Sequence, residues 1–384
     1  MLDRRNFLRG AALGASALVL SPRMVFANVE TDRRFVFIIQ RGAADGLDTV
    51  IPYGDPALAG LRGSLAIDQN DMHKLDGMFA LHPSLSRLSE LYGQKQSLFI
   101  QAVASPYRER SHFDGQNVLE SGSSSPYQLR DGWLNRLSTL LPKSEEEAIA
   151  LAPTIPLALR GVAPVNSYAP SNLPEAPDDL LMRVSKLYDS DSELHALWSR
   201  AMENRGLADA VGARQDPASV GKTAALFLGR PNGPRIAMIE TAGWDTHDGQ
   251  KQRLTNQLHG LDQMIGALHD GLSDVWKNTT VLVATEFGRT AAVNGTDGTD
   301  HGTASAAMLA GGAIQGGRVI ADWPGLAAGK LYEGRDLTPT LNLDALIAVV
   351  AAESLKLDPE KTMRTLFPGR PLNKKLAGLG LVNT

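Results

Sequence analysis

Short apolar blocks alternate with glycine-, proline- and charge-rich turns along most of the chain. Arg34 to Gln40 (R-F-V-F-I-I-Q) is a near-continuous apolar run, with charge before it and glycine after it, and predicts a buried strand. Ser97 to Val103, Ile236 to Ile239 and Val281 to Ala284 read the same way, as do Ser305 to Ala310 and Arg318 to Ile320 further on. Elsewhere the period lengthens. Leu254, Leu258, Leu261, Ile265, Leu268 and Leu272 share one face and predict a helix over Gln252–Trp276. Shorter helices are expected from Leu81-His82-Pro83 through Leu91, over Phe113–Glu120, Gly132–Leu141 and Thr340–Ser354, and Ala150–Leu159 reads as extended. Strands alternating with helices predict an α/β fold. Residues 123–222 break the rhythm with Ser-Pro spacers and a long polar helical region from Asp178, and read as a mainly helical insertion over one end of the sheet.

The chain has 384 residues, 43% hydrophobic and 21% charged, which suits a globular protein of one large α/β domain or two ordinary ones; a single domain over residues 28–384 is expected. A net charge of −4 with no basic run argues against nucleic acid as a partner. The absence of cysteine removes disulfides, thiolate ligands and cysteine nucleophiles, so any metal must be held by oxygen and imidazole. The first 27 residues read as a targeting segment. Arg4-Arg5-Asn6-Phe7-Leu8-Arg9 is a twin-arginine pattern, Gly10 to Leu20 is a short apolar stretch, and Val25-Phe26-Ala27 is a cleavage site. The expected partner is the twin-arginine export machinery, the expected address is the periplasm or beyond, and no membrane span is expected in the mature chain.

Metal-capable side chains follow the apolar runs. Ile236 to Ile239 leads into Asp245 and His247, Val281 to Ala284 into Glu286, and Asp300-His301 closes a loop with Gly295, Gly298 and Gly302. In an extended segment residues i and i+2 point to one side, so Asp245 and His247 can face one ion. An acid directly after a buried strand is costly unless paired, metal-bound or wetted. Ser111, before His112-Phe113-Asp114, sits at a predicted helix start, as a cap or as a nucleophile with backbone N–H groups ready for an anion. The bland alternatives are ion pairs with Arg41, Arg108 or Arg289 and helix caps. There is no Walker A sequence, no H-E-x-x-H and no G-x-S-x-G elbow.

F-I-I-Q-R-G-A-A-D-G-L-D, I-P-Y-G-D-P, L-H-P-S-L, R-S-H-F-D-G-Q, G-W-D-T-H, T-E-F-G-R-T and T-D-H-G, with the leader, resemble the bacterial DUF1501 family over about residues 1–370. That family is grouped with the alkaline phosphatase, sulfatase and cofactor-independent phosphoglycerate mutase superfamily. The resemblance implies a three-layer α/β/α doubly wound sheet, two divalent metals and a Ser or Thr nucleophile at a helix N-terminus. Ser111 matches the nucleophile, Asp245 and His247 match an Asp–His ligand pair, Glu286 the acid after a late strand and His301 the last His ligand. Asp45 is nearest to the first-strand acid. The sequence departs from the superfamily pattern in the single residue between Asp245 and His247, and in Phe287, which stands where a His is expected.

The expected activity is therefore an exported, metal-dependent hydrolase of phosphate or sulfate esters, acting on a small anionic or glycan-like substrate. Ser111 would attack, and Arg41, Arg108 and Arg110 would steady the anion. Asp45, His112, Asp245, His247, Glu286, Asp300 and His301 form the candidate ligand set for Zn, Mg, Mn or Ca. A non-catalytic envelope or binding protein on the same fold, and a metal-free serine hydrolase, stand as alternatives.

Overall fold

A computed structural model of the chain describes residues 32–142, 148–169, 178–188, 191, 194–195, 198–199, 202 and 216–383. The leader expected over residues 1–27 lies outside the described residues, as does most of the polar stretch between 189 and 215. Among the described residues no helix is long and apolar enough to cross a membrane.

Among the described residues nine strands form one sheet: β1 (Arg34–Gln40), β2 (Ser97–Ala104), β3 (Ala148–Leu151), β4 (Val165–Ser167), β5 (Ile236–Thr241), β6 (Thr279–Thr285), β7 (Ser305–Ala310), β8 (Val319–Ile320) and β9 (Leu341–Asn342). The order across the sheet is β8-β2-β7-β6-β1-β5-β3-β4, and β9 pairs with β2. All pairings are parallel except those of β7, which runs against both β6 and β2.

The side-chain alternation of β1 divides the core. Phe35, Phe37 and Ile39 face one layer, with α3 (Trp133–Ser138), α6 (Leu343–Leu355) and α7 (Pro359–Leu366). Val36 and Ile38 face the other, with α1 (Ser86–Gly93), α4 (Pro217–Leu228) and α5 (Gln250–Leu272). The predicted stripe of α5 is the buried one: Leu254, Leu258, Leu261, Ile265, Leu268 and Leu272 all lie in that second layer. Helices on both faces of a mostly parallel sheet make the three-layer α/β/α arrangement.

Two expectations need correction. The stretch 123–222 is not simply a helical cover, since it supplies β3 and β4 to the sheet edge and α3 to the core. Its strands are short, which hides them from periodicity. The helix expected to open at Leu81-His82-Pro83 begins only at Ser86. Ala80–Leu81 instead pairs with Val50–Ile51 and with His73–Lys74 in a small separate sheet, and the His82 N–H donates to the Thr49 carbonyl, which holds the segment extended.

Candidate metal centre

Because β1, β2, β5 and β6 are parallel, their C-terminal ends open onto the same edge. The antiparallel β7 starts at that edge. Four loops therefore meet there, the one after β6 being the one that enters β7, as expected for a ligand site in an open α/β sheet. They close tightly. Gly42 has φ +117, and a Cβ on it would stand 2.6 Å from the Asp245 nitrogen.

Helix α2 (His112–Ser121) follows β2 and carries His112 in its first turn. The His112 Nδ1 is 2.9 Å from Glu286 Oε1, His247 Nδ1 is 3.1 Å from Asp300 Oδ1, and His301 Nδ1 is 2.8 Å from the Arg110 carbonyl oxygen. Carbonyl and carboxylate oxygens accept, so each Nδ1 carries the hydrogen and each neutral ring presents its Nε2 as a lone pair. All three Nε2 atoms turn toward one oxygen, Asp245 Oδ1. His247 is 3.0 Å from it, His301 3.4 Å and His112 3.5 Å. The His247 and His301 Nε2 atoms are themselves 3.0 Å apart. His112, Asp245 and His301 can each offer a ligand atom within 4.8 Å of the others, and His247 joins through its contacts with Asp245 and His301.

This arrangement fits a cation on two observations. The His112 Nε2 is buried and has no hydrogen-bond partner, a state that needs a reason. Ligands about 2.0–2.1 Å from a tetrahedral zinc stand roughly 3.3 Å from one another, and separations of 3.0–3.5 Å bracket that spacing. A ring whose other nitrogen donates to a carboxylate or backbone carbonyl is the usual form of a metal-binding His. Phe287 walls the cluster, stacked on the His112 ring at 5.1 Å and tilted against His301 at 5.3 Å.

Electrostatics hold the acids ionised. Burial raises the Asp245 carboxyl, but the Arg289 hydrogen bond and charge, with those of His112 and His247, bring it down to about 2. Burial likewise opposes ionisation of Glu286, and hydrogen bonds from His112, Gln116 and the Gly42 N–H lower its pKa. Burial lowers the His112 pKa, and the Glu286 hydrogen bond and charge overturn that and raise it. The His301 pKa is lowered, chiefly by burial, against the Arg110 carbonyl bond.

The structure gathers His112, Asp245, His247 and His301 at the centre and leaves other expected residues around or away from it. Glu286 is fully buried, with Oε1 taken by Gly42, His112 and Gln116 and Oε2 by Thr285 Oγ1, so it anchors His112 and is not itself free to ligate. Asp300 plays the same part for His247. Asp45 stands apart. Its carboxylate caps the turn Gly46–Thr49 and forms a two-pronged ion pair with the buried Arg62 at 2.6 and 2.9 Å, and Gln250 donates to it as well.

None of the three arginines expected to steady an anion is free. Arg41 pairs with Glu120 and Glu240, Arg108 folds back on the Ser105 and Tyr107 carbonyls, and Arg110 pairs with Asp336 and Glu333. Ser111 lies between Arg110 and His112, both of which touch the cluster, and its side chain caps no backbone N–H.

Arg289 is the guanidinium at the centre. Its Nε donates to the Ala43 carbonyl and Nη1 to that of Thr299, while the two N–H groups of Nη2 are shared among the Gly42 and Trp244 carbonyls and Asp245 Oδ1, the last at 2.5 Å. It ties three loops together and aims Asp245. Its residue type and position mark it only as a salt-bridge partner. The available signal was its place three residues after the buried Glu286. Gln116 also serves the site: the i, i+4 spacing from His112 puts both on one helix face, where both reach Glu286.

Residues 32–367 match the family described as Protein of unknown function (DUF1501). The chain belongs to the DUF1501 family. Among curated proteins none matches this DUF1501 chain by sequence. Solved structures similar to it include Ps i-CgsB in complex with k-i-k-neocarrahexaose, at 10% identity and a TM-score of 0.47, covering 92% of this chain and 77% of that one. The phosphonate monoester hydrolase of Agrobacterium radiobacter is similar at 10% identity and a TM-score of 0.42, over 88% and 78% of the two chains. The alkaline phosphatase of the Antarctic bacterium TAB5 is similar at 12% identity and a TM-score of 0.38, over 76% and 95%. Likeness at this level assigns neither substrate nor activity to the DUF1501 chain.

Proposed function

We propose that the protein is an exported, metal-dependent hydrolase of phosphate or sulfate esters, built on one divalent ion. One observation carries the reading: three imidazoles anchored through Nδ1 present Nε2 beside Asp245 Oδ1 at the ligand edge of the sheet. His112, Asp245, His247 and His301 would hold the ion, and an all N/O set with three imidazoles favours zinc among the candidates. Bound there, the metal supplies Lewis acidity and a lowered pKa to an oxygen it touches. Glu286, Asp300 and the Arg110 carbonyl keep the three rings in the ligating tautomer. Ser111 supplies the attacking hydroxyl from the start of α2, and the N-terminal end of that helix favours an anionic group. Phe287 excludes water from one side of the His112 ring. The centre stays open to small molecules, since the side chains of Asp245 and His247 are 44% and 42% exposed. Export through the twin-arginine route belongs to the same reading and rests on the Arg4-Arg5 leader.

The test is metal analysis of the purified mature protein with a panel of aryl phosphate and sulfate esters. Bound zinc, and turnover lost in Ser111→Ala and in His301→Ala, support the reading. No metal, and no turnover that depends on those two side chains, overturn it.

A second reading has its own observation. With Arg41, Arg108 and Arg110 all engaged, none of the guanidinium groups expected to steady an ester anion is free among the described residues, which favours a metal-dependent binding protein without turnover. It predicts zinc in the protein and no hydrolysis of any ester in the panel.

A further inference from the structure

Asp336 is fully buried, yet it lies in a turn whose tip, Glu333-Gly334, is exposed. The turn is closed by paired backbone bonds between Tyr332 and Asp336. Asp336 Oδ2 accepts from Arg110 Nε at 3.1 Å and Nη2 at 2.8 Å, and from Thr303 Oγ1 at 2.8 Å. The neighbouring Arg335 stands 3.1 Å from Asp336 Oδ1 through Nε and donates through Nη2 to the His301 carbonyl at 2.5 Å. One turn therefore grips both partners of the bond between His301 Nδ1 and the Arg110 carbonyl.

Arg110 itself has φ +60, a left-handed conformation that a non-glycine residue seldom adopts unless its surroundings enforce it. The forked bond to a buried carboxylate is such an enforcement, because a guanidinium held by two N–H groups fixes the orientation of its stem.

We propose that Asp336 is a positioning residue for His301. By holding Arg110 left-handed, it aims the Arg110 carbonyl at His301 Nδ1 and so keeps the Nε2 lone pair turned to Asp245. Arg110, expected to bind an anion through its side chain, serves the centre through its backbone, and its side chain is the handle by which Asp336 sets that backbone. The consequence for metal binding rests on the proposed metal centre, whereas the tautomer of His301 does not.

The experiment uses the full chain in Asp336→Asn, Arg110→Ala and double-variant forms. Nitrogen shifts of the histidine rings are read by NMR in metal-free protein, and zinc affinity is read by competition with a chelator. The wild-type protein is expected to show His301 protonated at Nδ1 alone. Each single variant is expected to show a mixture of tautomers and zinc affinity lowered roughly tenfold or more. The double variant is expected to lose no more than either single one, because both substitutions cut the same link. A folded Asp336→Asn or Arg110→Ala protein that keeps His301 wholly Nδ1-protonated overturns the proposal. If Asp336→Asn does not fold, Arg110→Ala decides alone, because Arg335 and Thr303 still face Asp336 in that variant. If the wild type takes up no zinc, the metal-centre reading fails, and the tautomer still decides the role of Asp336.

Discussion

His247 Nε2 and His301 Nε2 stand 3.0 Å apart, while the other nitrogen of each ring faces an oxygen acceptor. Two lone pairs at that distance repel unless a proton or a metal ion lies between them. Zinc should therefore bind the folded chain and not the unfolded one. At a hundred times its Kd it should add about 2.7 kcal/mol to the unfolding free energy. Thermal unfolding in zinc and in a chelator checks this. The zinc-dependent rise should vanish in His112→Ala and His301→Ala, and a wild-type midpoint indifferent to zinc would remove the metal from the site.

Glu286 and its neighbours separate charge from shape. In Glu286→Gln the amide oxygen can still accept from Gly42, His112 and Gln116, and the amide nitrogen can face Thr285 Oγ1. The fold should survive with a small loss, but His112 loses the anionic partner that raises its pKa, and zinc affinity should fall roughly tenfold. Glu286→Ala strands the donors outright and should cost on the order of 3 kcal/mol in stability. Urea unfolding beside zinc titration distinguishes the two variants. Equal zinc affinity in Glu286→Gln and wild type would mean that the carboxylate does not tune His112.

Asp45 gives the opposite pattern. It was expected among the ligands, but both its oxygens are spent on the buried Arg62. Removing one partner of a buried ion pair leaves an uncompensated charge and costs about 3–5 kcal/mol. Asp45→Ala should lose that much in urea unfolding and keep the wild-type zinc content in whatever fraction stays folded. Loss of zinc at unchanged stability would return Asp45 to the ligand set.

The contrast between Asp45 and Asp245 shows what was legible in the sequence. The central strands and their ligand edge followed from apolar runs that end in acids and histidines, because a buried strand must release its polar residues at its ends. Asp245 and His247 could be paired from their i, i+2 spacing alone. What could not be read was which carboxylates a distant guanidinium claims. Arg62 lies 17 positions from Asp45, and Arg289 lies 44 from Asp245; only the folded loops bring either pair together. The same holds for β3 and β4, whose few residues carry too little pattern to show that they extend a sheet. The role of the Arg110 carbonyl was beyond reach for a simpler reason, since a backbone oxygen leaves no mark in residue type.

Asp48 links the buried network to pH. Burial, opposed by the Arg62 charge and reinforced by that of Asp45, pushes its carboxyl up to about 6 from the ordinary 3.8. The sign follows from proton counts. Between pH 6 and 4 the folded chain holds a proton at Asp48 that the unfolded chain has released, so this group adds stability as pH falls through that window and withdraws it as pH rises. The buried His82 acts in the opposite direction. Its pKa is lowered from 6.5 to about 4, mainly by burial, so its contribution is lost on acidification over a similar range. The two effects are separated by comparing wild type with Asp48→Asn in chelator, which removes the first and leaves the second. The difference in unfolding free energy between the two proteins should grow in favour of wild type from pH 7 to pH 4, by on the order of 1–3 kcal/mol. Urea unfolding at half-unit steps of pH measures it. A flat difference curve would show that Asp48 titrates at its ordinary value, with the Arg62 charge offsetting its burial.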